Sequence, residues 1–150
     1  MKRLVIAGSL ALGIVPVALS QNANFRNPPE LAKPNGYTQV VTVIHGKLVI
    51  LSGQVGADKD GKVPSDFAAQ AHQAFANIQA ALASVGAKPA NLVKLNYYVV
   101  GLNHDKLLAL REARDQVIDK DHPPASTLAG VQALFREDVQ VEIEAEAVIP

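Results

Sequence analysis

The sequence contains no cysteine and no tryptophan, and it carries 14 basic residues against 14 acidic ones. Without cysteine the chain has no disulfide, no thiolate zinc site, no iron–sulfur cluster and no cysteine nucleophile. A formal net charge of zero argues against a protein that binds nucleic acid by neutralising many phosphates. With 150 residues, of which 49% are apolar, the chain is long enough for one domain with its own core.

A metal site is not indicated by the sequence. The four histidines are scattered along the chain, and no pair has the spacing of metal ligands. Asp58-x-Asp60-Gly61 is similar to the beginning of a calcium loop. That loop needs its glycine two positions later and a glutamate where Ala69 stands. We therefore expect a solvent-exposed turn here, and neither a metal nor another cofactor in the protein.

Charge is also absent from a long stretch near the N-terminus. Lys2 and Arg3 precede sixteen uncharged residues, 4–19, and small residues occupy positions 18 and 20. This pattern predicts a secretory signal peptide over residues 1–20, cleaved before Gln21, and hence an exported protein that is periplasmic or secreted. The alternative is an uncleaved anchor or a buried strand, but the stretch is short for a stable membrane anchor and contains Gly and Pro. Cleavage would leave 12 basic and 14 acidic residues, a mature net charge of −2.

The remaining chain is predicted to be an arm followed by one domain. Residues 21–35 are rich in Asn and Pro and show no periodicity, which predicts an arm without regular elements before a domain over 36–150. Two β-branched runs, 38–44 and 47–54, predict strands. The turn at His45-Gly46 between them predicts a hairpin.

Two helices and three further strands are predicted after the hairpin. The apolar spacing between Pro64 and Val85 indicates one helical face, with Ser65 as N-cap and Gly86 ending the helix. A second helix is predicted over 105–118, and strands are predicted over 92–100, 126–131 and 139–148. The order β-β-α-β-α-β-β predicts a two-layer α+β domain, with both helices against one mixed sheet.

The last predicted strand has three acidic residues on one face. Glu142, Glu144 and Glu146 alternate with apolar residues, so their side chains point to the same side of the sheet. One interpretation is a solvated acidic face. The other is that one of these carboxylates lies in a cleft and acts as a general acid or base.

Four segments of the sequence together resemble the Rid (YjgF-like) family of reactive-intermediate deaminases. They are NGYTQVV at 35–41, LVILSGQ at 48–54, NLVK at 91–94 and VEIEA at 141–145, in the order and at the separations of that family. The resemblance implies a chorismate-mutase-like fold and a homotrimer whose sheets form an inner β-barrel, with clefts between subunits. It also implies cofactor-free hydrolysis of small enamines and imines to 2-keto acids and ammonia.

The resemblance also implies roles for particular residues. Glu144 would position or activate the water, while Tyr37 and Gly53 would line the cleft. Ser126 would offer backbone or hydroxyl contacts to the substrate, and Arg111 lies near a polar position of the family on the second helix.

One residue departs from the family pattern. In the string PPASTL at 123–128, Ala125 stands where active members have the arginine that holds the substrate carboxylate. Losing one partner of such a desolvated pair costs about 2–5 kcal/mol, so the usual 2-imino acid is a doubtful substrate. One interpretation is that Arg111 or Arg114 supplies the missing charge. The other is that both are exposed helix residues that pair with Glu112 or Asp115.

Two functions therefore stay open at the level of sequence. The first is a hydrolase of an imine, an enamine or a related small carbonyl compound, with Glu144 as general base. The second is a non-catalytic trimer that binds a small molecule or acts as a chaperone-like scaffold. Nucleic acid is not an expected partner, because the mature chain is mildly acidic and has only three Tyr and four Phe for base stacking.

Overall fold

The structure is a computed structural model that describes residues 22–150, so the signal peptide predicted over 1–20 lies outside the described residues. A 3-10 turn at Pro89–Asn91 precedes the fourth strand. The helices and strands follow in this order along the chain: β1 (Ala23–Arg26), β2 (Val40–Val43), β3 (Lys47–Val55), α1 (Phe67–Ser84), β4 (Leu92–Val100), α2 (His104–Asp115), β5 (Ala125–Val131) and β6 (Val141–Ile149).

The main sheet has four strands in the order β3-β6-β4-β5. β6 is antiparallel to both of its neighbours, whereas β4 and β5 are parallel. The two helices pack against each other, and α1 also packs on β3 and β6. The predicted two-layer α+β domain with one mixed sheet is confirmed.

The core lies between the helices and one face of this sheet. α1 contributes Phe75, Ile78 and Leu82, each no more than 1% exposed. Alternate residues of the sheet meet them, since pleating sends every second side chain to the helix side; among these residues are Leu95, Val99, Val141, Ile143 and Ala145. Val85 belongs to the predicted apolar face but is 47% exposed, because it follows the last turn of α1.

The predicted hairpin between 38–44 and 47–54 is wrong. β2 pairs with β1 in a separate antiparallel ribbon, and β3 pairs with β6. The prediction of an arm without regular elements over 21–35 is wrong for the same reason, because β1 lies in it. Ala23 of β1 is buried against Val93 and Val148. This apolar contact anchors the ribbon on one end of the sheet.

The helix ends differ slightly from the predicted ones. Asp66, not Ser65, caps α1, and its carboxylate accepts a hydrogen bond from the Ala69 N–H at 2.8 Å. Gly86 ends the helix as predicted, with a positive φ of 73° that a glycine adopts without strain. None of the helices within residues 22–150 has both the length and the apolar composition needed to cross a membrane.

Candidate functional site

Glu144 lies on the face of the sheet that points away from the helices. Its neighbours Ile143 and Ala145 are buried in the core, whereas Glu142, Glu144 and Glu146 are only partly buried. The alternation predicted from the sequence is therefore present. We call this side of the four-stranded sheet the open face.

Two polar side chains of β4 hold the Glu144 carboxylate. The Tyr98 hydroxyl donates to Glu144 Oε2 at 3.0 Å, and Asn96 Nδ2 donates to the same oxygen at 3.3 Å. The hydrogen bond to Glu144 is the main reason that the pKa of Tyr98 is raised, with smaller effects from desolvation and from the charges of Glu144 and Glu142. Oε1 of Glu144 makes no hydrogen bond with the part of the chain that the structure describes. The carboxylate is thus fixed by one oxygen and open at the other.

Gly53 lies beside the same group of residues. Between Leu51 and Gln54 the pairing of β3 with β6 shifts, so that Ser52 and Gly53 form a bulge opposite Glu144. A Cβ at Gly53 would lie 1.9 Å from Glu142 Oε1. A larger residue would displace the Glu142 carboxylate, so the glycine lets this carboxylate lie against the bulge. We call Gly53, Asn96, Tyr98, Glu142 and Glu144 the Glu144 cluster.

Position 125, where the family resemblance places an arginine, also belongs to the open face. Ala125 lies opposite Lys94 in the parallel ladder. The Lys94 ammonium donates to Thr127 Oγ1 at 3.4 Å, two residues further along the same face of β5. A positive charge therefore stands beside Ala125, but on β4 and not on β5.

The other predicted binding residues lie together on the opposite side of the sheet. Tyr37, Arg111 and Ser126 line one cavity of about 150 Å³ between α2, the edge strand β5 and the loop before β2. We call this cavity the α2 pocket; its remaining lining residues are Asn35, Tyr97, Leu107, Leu110, Arg114 and Leu128. The structure thus brings together three of the predicted site residues and separates them from Glu144 and Gly53.

The interpretation of Arg114 as an exposed helix residue is wrong, whereas its predicted pairing with Asp115 is confirmed. Its side chain is buried, and its Nε and Nη2 both donate to Asp115 Oδ1, at 2.7 and 2.6 Å. The guanidinium also packs on the backbone of Gly36, where a Cβ would lie 2.2 Å from Nη2. Arg111 is partly buried and makes no ion pair with the described residues.

Sequence reasoning missed three polar residues of these two groups. The sequence around Asn96 and Tyr98 indicates only a strand, and their contact with Glu144 depends on β4 lying next to β6. Tyr97 points to the helix side, lines the α2 pocket and has a buried hydroxyl without a hydrogen-bond partner among residues 22–150. The alternation along β4 predicts which face of the sheet each of these residues lies on, but it does not predict the residues that they contact.

Metal ligands are not clustered in the described part of the chain. Within residues 22–150, no three His, Asp or Glu side chains are placed to hold a metal ion. The turn at 58–62 is built by Asp58, whose Oδ1 accepts from the backbone N–H groups of Asp60 and Lys62 at 2.9 Å each. The carboxylate is therefore used within the turn.

Comparison with known proteins places this chain in one family. The model of the family described as Endoribonuclease L-PSP matches residues 29–149. A RutC family protein from Pasteurella multocida is 36% identical over 125 residues, which cover 81% of this chain and 92% of that protein. A 2-iminobutanoate/2-iminopropanoate deaminase from Escherichia coli K12 is 34% identical over 134 residues, covering 87% and 98%.

Solved structures agree with the sequence comparison. A protein of the conserved Rid family from Yersinia pestis is similar with a TM-score of 0.76 and 30% identity, covering 85% of this chain and 99% of that one. The YjgF gene product from Escherichia coli is similar with a TM-score of 0.61 and 30% identity, covering 73% and 85%. This chain therefore belongs to the Rid (YjgF-like) family, which the Endoribonuclease L-PSP model describes.

Proposed function

We propose that this protein hydrolyses a small imine or enamine without a cofactor, in a cleft between the subunits of a homotrimer. The observation that carries the proposal is the Glu144 carboxylate, which is held at Oε2 by Tyr98 and Asn96 and is open at Oε1. Relatives at 34% identity that carry the name 2-iminobutanoate/2-iminopropanoate deaminase support the reaction class.

The proposed chemistry needs only a base and a water. Oε1 of Glu144 takes a proton from water while the water oxygen bonds to the imine carbon and the C=N electron pair moves to nitrogen. The same carboxyl then returns the proton to nitrogen, which gives a carbinolamine. A second transfer through the carboxyl moves the hydroxyl proton to the amino nitrogen, so that the C–N bond breaks, ammonia leaves and the carbonyl forms. Imine plus water gives carbonyl compound plus ammonia, and no oxidant or reductant is required.

An intersubunit cleft is supported by two features of the single chain. The Glu144 cluster and the α2 pocket lie on opposite faces of the sheet, because Asn96 pairs with Glu144 on the open face while Tyr97 lines the pocket. In addition, β3 presents Leu48 and Ile50 at 56% and 74% exposure. Exposed apolar side chains of this size on a strand are typical of a surface that pairs with another subunit.

The first prediction concerns Glu144. Glu144→Gln should lower the enzymatic rate by about 10²- to 10⁴-fold, which is the usual contribution of a general base. The rate is measured as ammonia released from freshly generated 2-iminopropanoate, after subtraction of the spontaneous hydrolysis. Glu146→Gln, on the same face of β6 and two residues away, is the matched control and should stay near the wild-type rate. Equal rates for Glu144→Gln and wild type would remove Glu144 as the base.

A non-catalytic binding protein or chaperone-like scaffold is the second candidate, and Ala125 is the observation that favours it. In this case the wild type would add nothing to the spontaneous rate. A small ligand would still raise the thermal unfolding midpoint of the oligomer, because binding to the folded state alone stabilises it. The same assay therefore separates the two functions.

We also propose that the protein is exported, from the basic and apolar pattern of residues 1–20. Protein recovered from the periplasm or the culture medium of the producing cells should have an N-terminal sequence that begins at Gln21. A start at Met1, or recovery only from the cytoplasm, would contradict export with cleavage.

A further inference from the structure

The α2 pocket is lined by two arginines, Arg111 and Arg114, and by no acidic residue. Asp115 binds Nε and Nη2 of Arg114, so Nη1 remains without a hydrogen bond to any described residue. Arg111 likewise has no ion pair within residues 22–150. The wall thus offers guanidinium donors to an anion.

A second observation comes from Tyr97. Tyr97 is 4% exposed and lines the α2 pocket, and its hydroxyl has no hydrogen-bond partner in the part of the chain that the structure describes. Burial raises the pKa of Tyr97, so the hydroxyl stays protonated and is available as a donor. A buried donor of this kind is destabilising unless an acceptor enters the pocket.

Size and polarity narrow the class of ligand. A cavity of about 150 Å³ is comparable with one that holds benzene, so the ligand has roughly six non-hydrogen atoms. Leu107, Leu110 and Leu128 form the apolar part of the wall. A carboxylate at the guanidinium side with a chain of two or three carbons against the leucines satisfies both parts.

We propose that the α2 pocket binds the carboxylate of a small monocarboxylic acid through Arg111, Arg114 and the Tyr97 hydroxyl. These three residues take the place of the arginine that is missing at Ala125, although they lie on the opposite side of the sheet. The inference rests on the proposed function only for the identity of the acid, a 2-imino or 2-oxo acid of three or four carbons. A guanidinium is well suited to this task because it donates two parallel hydrogen bonds to a carboxylate.

The test measures binding of pyruvate, a stable 2-oxo acid, by titration calorimetry of the full mature chain. Removing a charged donor by Arg111→Met or the hydroxyl by Tyr97→Phe should weaken binding by about tenfold or more. Arg26→Met removes an exposed arginine of β1 as the matched control and should change the affinity by less than about twofold. Arg114 itself is not substituted, because its buried side chain packs on Gly36 and pairs with Asp115, so that its removal would also change the packing there.

A pair of glycines provides a second, independent test of the same site. Gly36 and Gly61 both have positive φ, 73° and 79°, so alanine strains the backbone equally at either position. At Gly36 the new Cβ collides with the Arg114 guanidinium, whereas no atom of residues 22–150 lies within 4 Å of a Cβ at Gly61. Gly36→Ala should therefore weaken pyruvate binding, while Gly61→Ala should leave the affinity unchanged.

Three results would overturn the inference. The first is that wild type does not bind pyruvate, and the second is that Arg111→Met and Tyr97→Phe both bind it with wild-type affinity. The third is that only Lys94→Met loses binding, which would place the cation on the open face. Because pyruvate binding needs no turnover, a wild type that binds pyruvate through Arg111 but hydrolyses no imine would contradict the proposed function and leave the inference intact.

Discussion

Glu144 shows how little of a residue's chemical setting is determined by its own position. Its side of the sheet follows from the alternation of β6, which the sequence displays clearly. Its hydrogen bonds come from Asn96 and Tyr98, about 46 to 48 residues earlier in the chain. Only the pairing of β4 with β6 brings them together. The sequence could therefore predict the residue but not the two donors that fix its carboxylate.

The contact between Tyr98 and Glu144 predicts a tyrosine titration that depends on Glu144. The pKa of Tyr98 is raised mainly because ionisation would break its hydrogen bond to Glu144, and Glu142 adds a smaller effect of its charge. Glu144→Gln should lower the pKa of Tyr98 towards the ordinary value of about 10, and Glu142→Gln should lower it less. The measurement is the absorbance of phenolate during an alkaline titration, in which Tyr98→Phe identifies the step that belongs to this residue.

The same contact has a consequence for stability at high pH. A raised pKa in the folded state means that folding favours the protonated phenol, so the contact stabilises the protein fully below pH of about 10. That stabilisation is lost as the pH rises through the pKa of Tyr98 in the folded state. The difference in the free energy of unfolding between wild type and Tyr98→Phe, measured in urea, should therefore decrease as the pH rises through this pKa. A difference that does not depend on pH would show that the hydroxyl contributes by packing alone.

At the scale of elements, the helices were more predictable than the ribbon of β1 and β2. The apolar spacing within α1 is enough to predict a helix, and the residues that carry it face the core, as Phe67, Phe75, Ile78 and Leu82 do. β2 has no such self-contained signal, because either β1 or β3 could satisfy its backbone. Tertiary contact decided the pairing: Ala23 of β1 fits into the apolar site formed by Val93 and Val148.

The sequence of α2 already shows the spacing that places two leucines and two arginines on the α2 pocket. Leu107, Leu110, Arg111 and Arg114 follow the spacing i, i+3, i+4, i+7 of one helical face. Charged residues are rarely buried, so the sequence alone favours two exposed arginines. Here the face that carries the leucines is continued by Arg114, whose charge is met by Asp115 and whose plane lies against Gly36. A buried arginine needs a carboxylate partner such as Asp115. Helical spacing cannot reveal a neighbour such as Gly36, which is distant in the sequence.

At the scale of the whole molecule, the two halves of the candidate site lie on different faces of one subunit. Glu144 is on the open face, and the α2 pocket is on the helix side of the edge strand β5. Because the sheet separates its two faces, no movement of single side chains within one subunit can bring Glu144 and the α2 pocket together. In the proposed homotrimer the two would be joined, because the α2 pocket of one subunit would meet the open face of the next.

This arrangement predicts complementation between two defective variants. Glu144→Gln lacks the base but keeps the α2 pocket, whereas Arg111→Met keeps the base and has a weakened pocket. If each cleft takes its pocket from one subunit and its base from the neighbour, unfolding and refolding an equal mixture should rebuild about a quarter of the wild-type clefts in randomly assembled rings. The measurement is imine hydrolysis by the refolded mixture, compared with each variant refolded alone. Mixing the folded variants without unfolding them is the control for subunit exchange. If the refolded mixture shows only the mean activity of its two parents, the base and the pocket of each working cleft belong to the same chain.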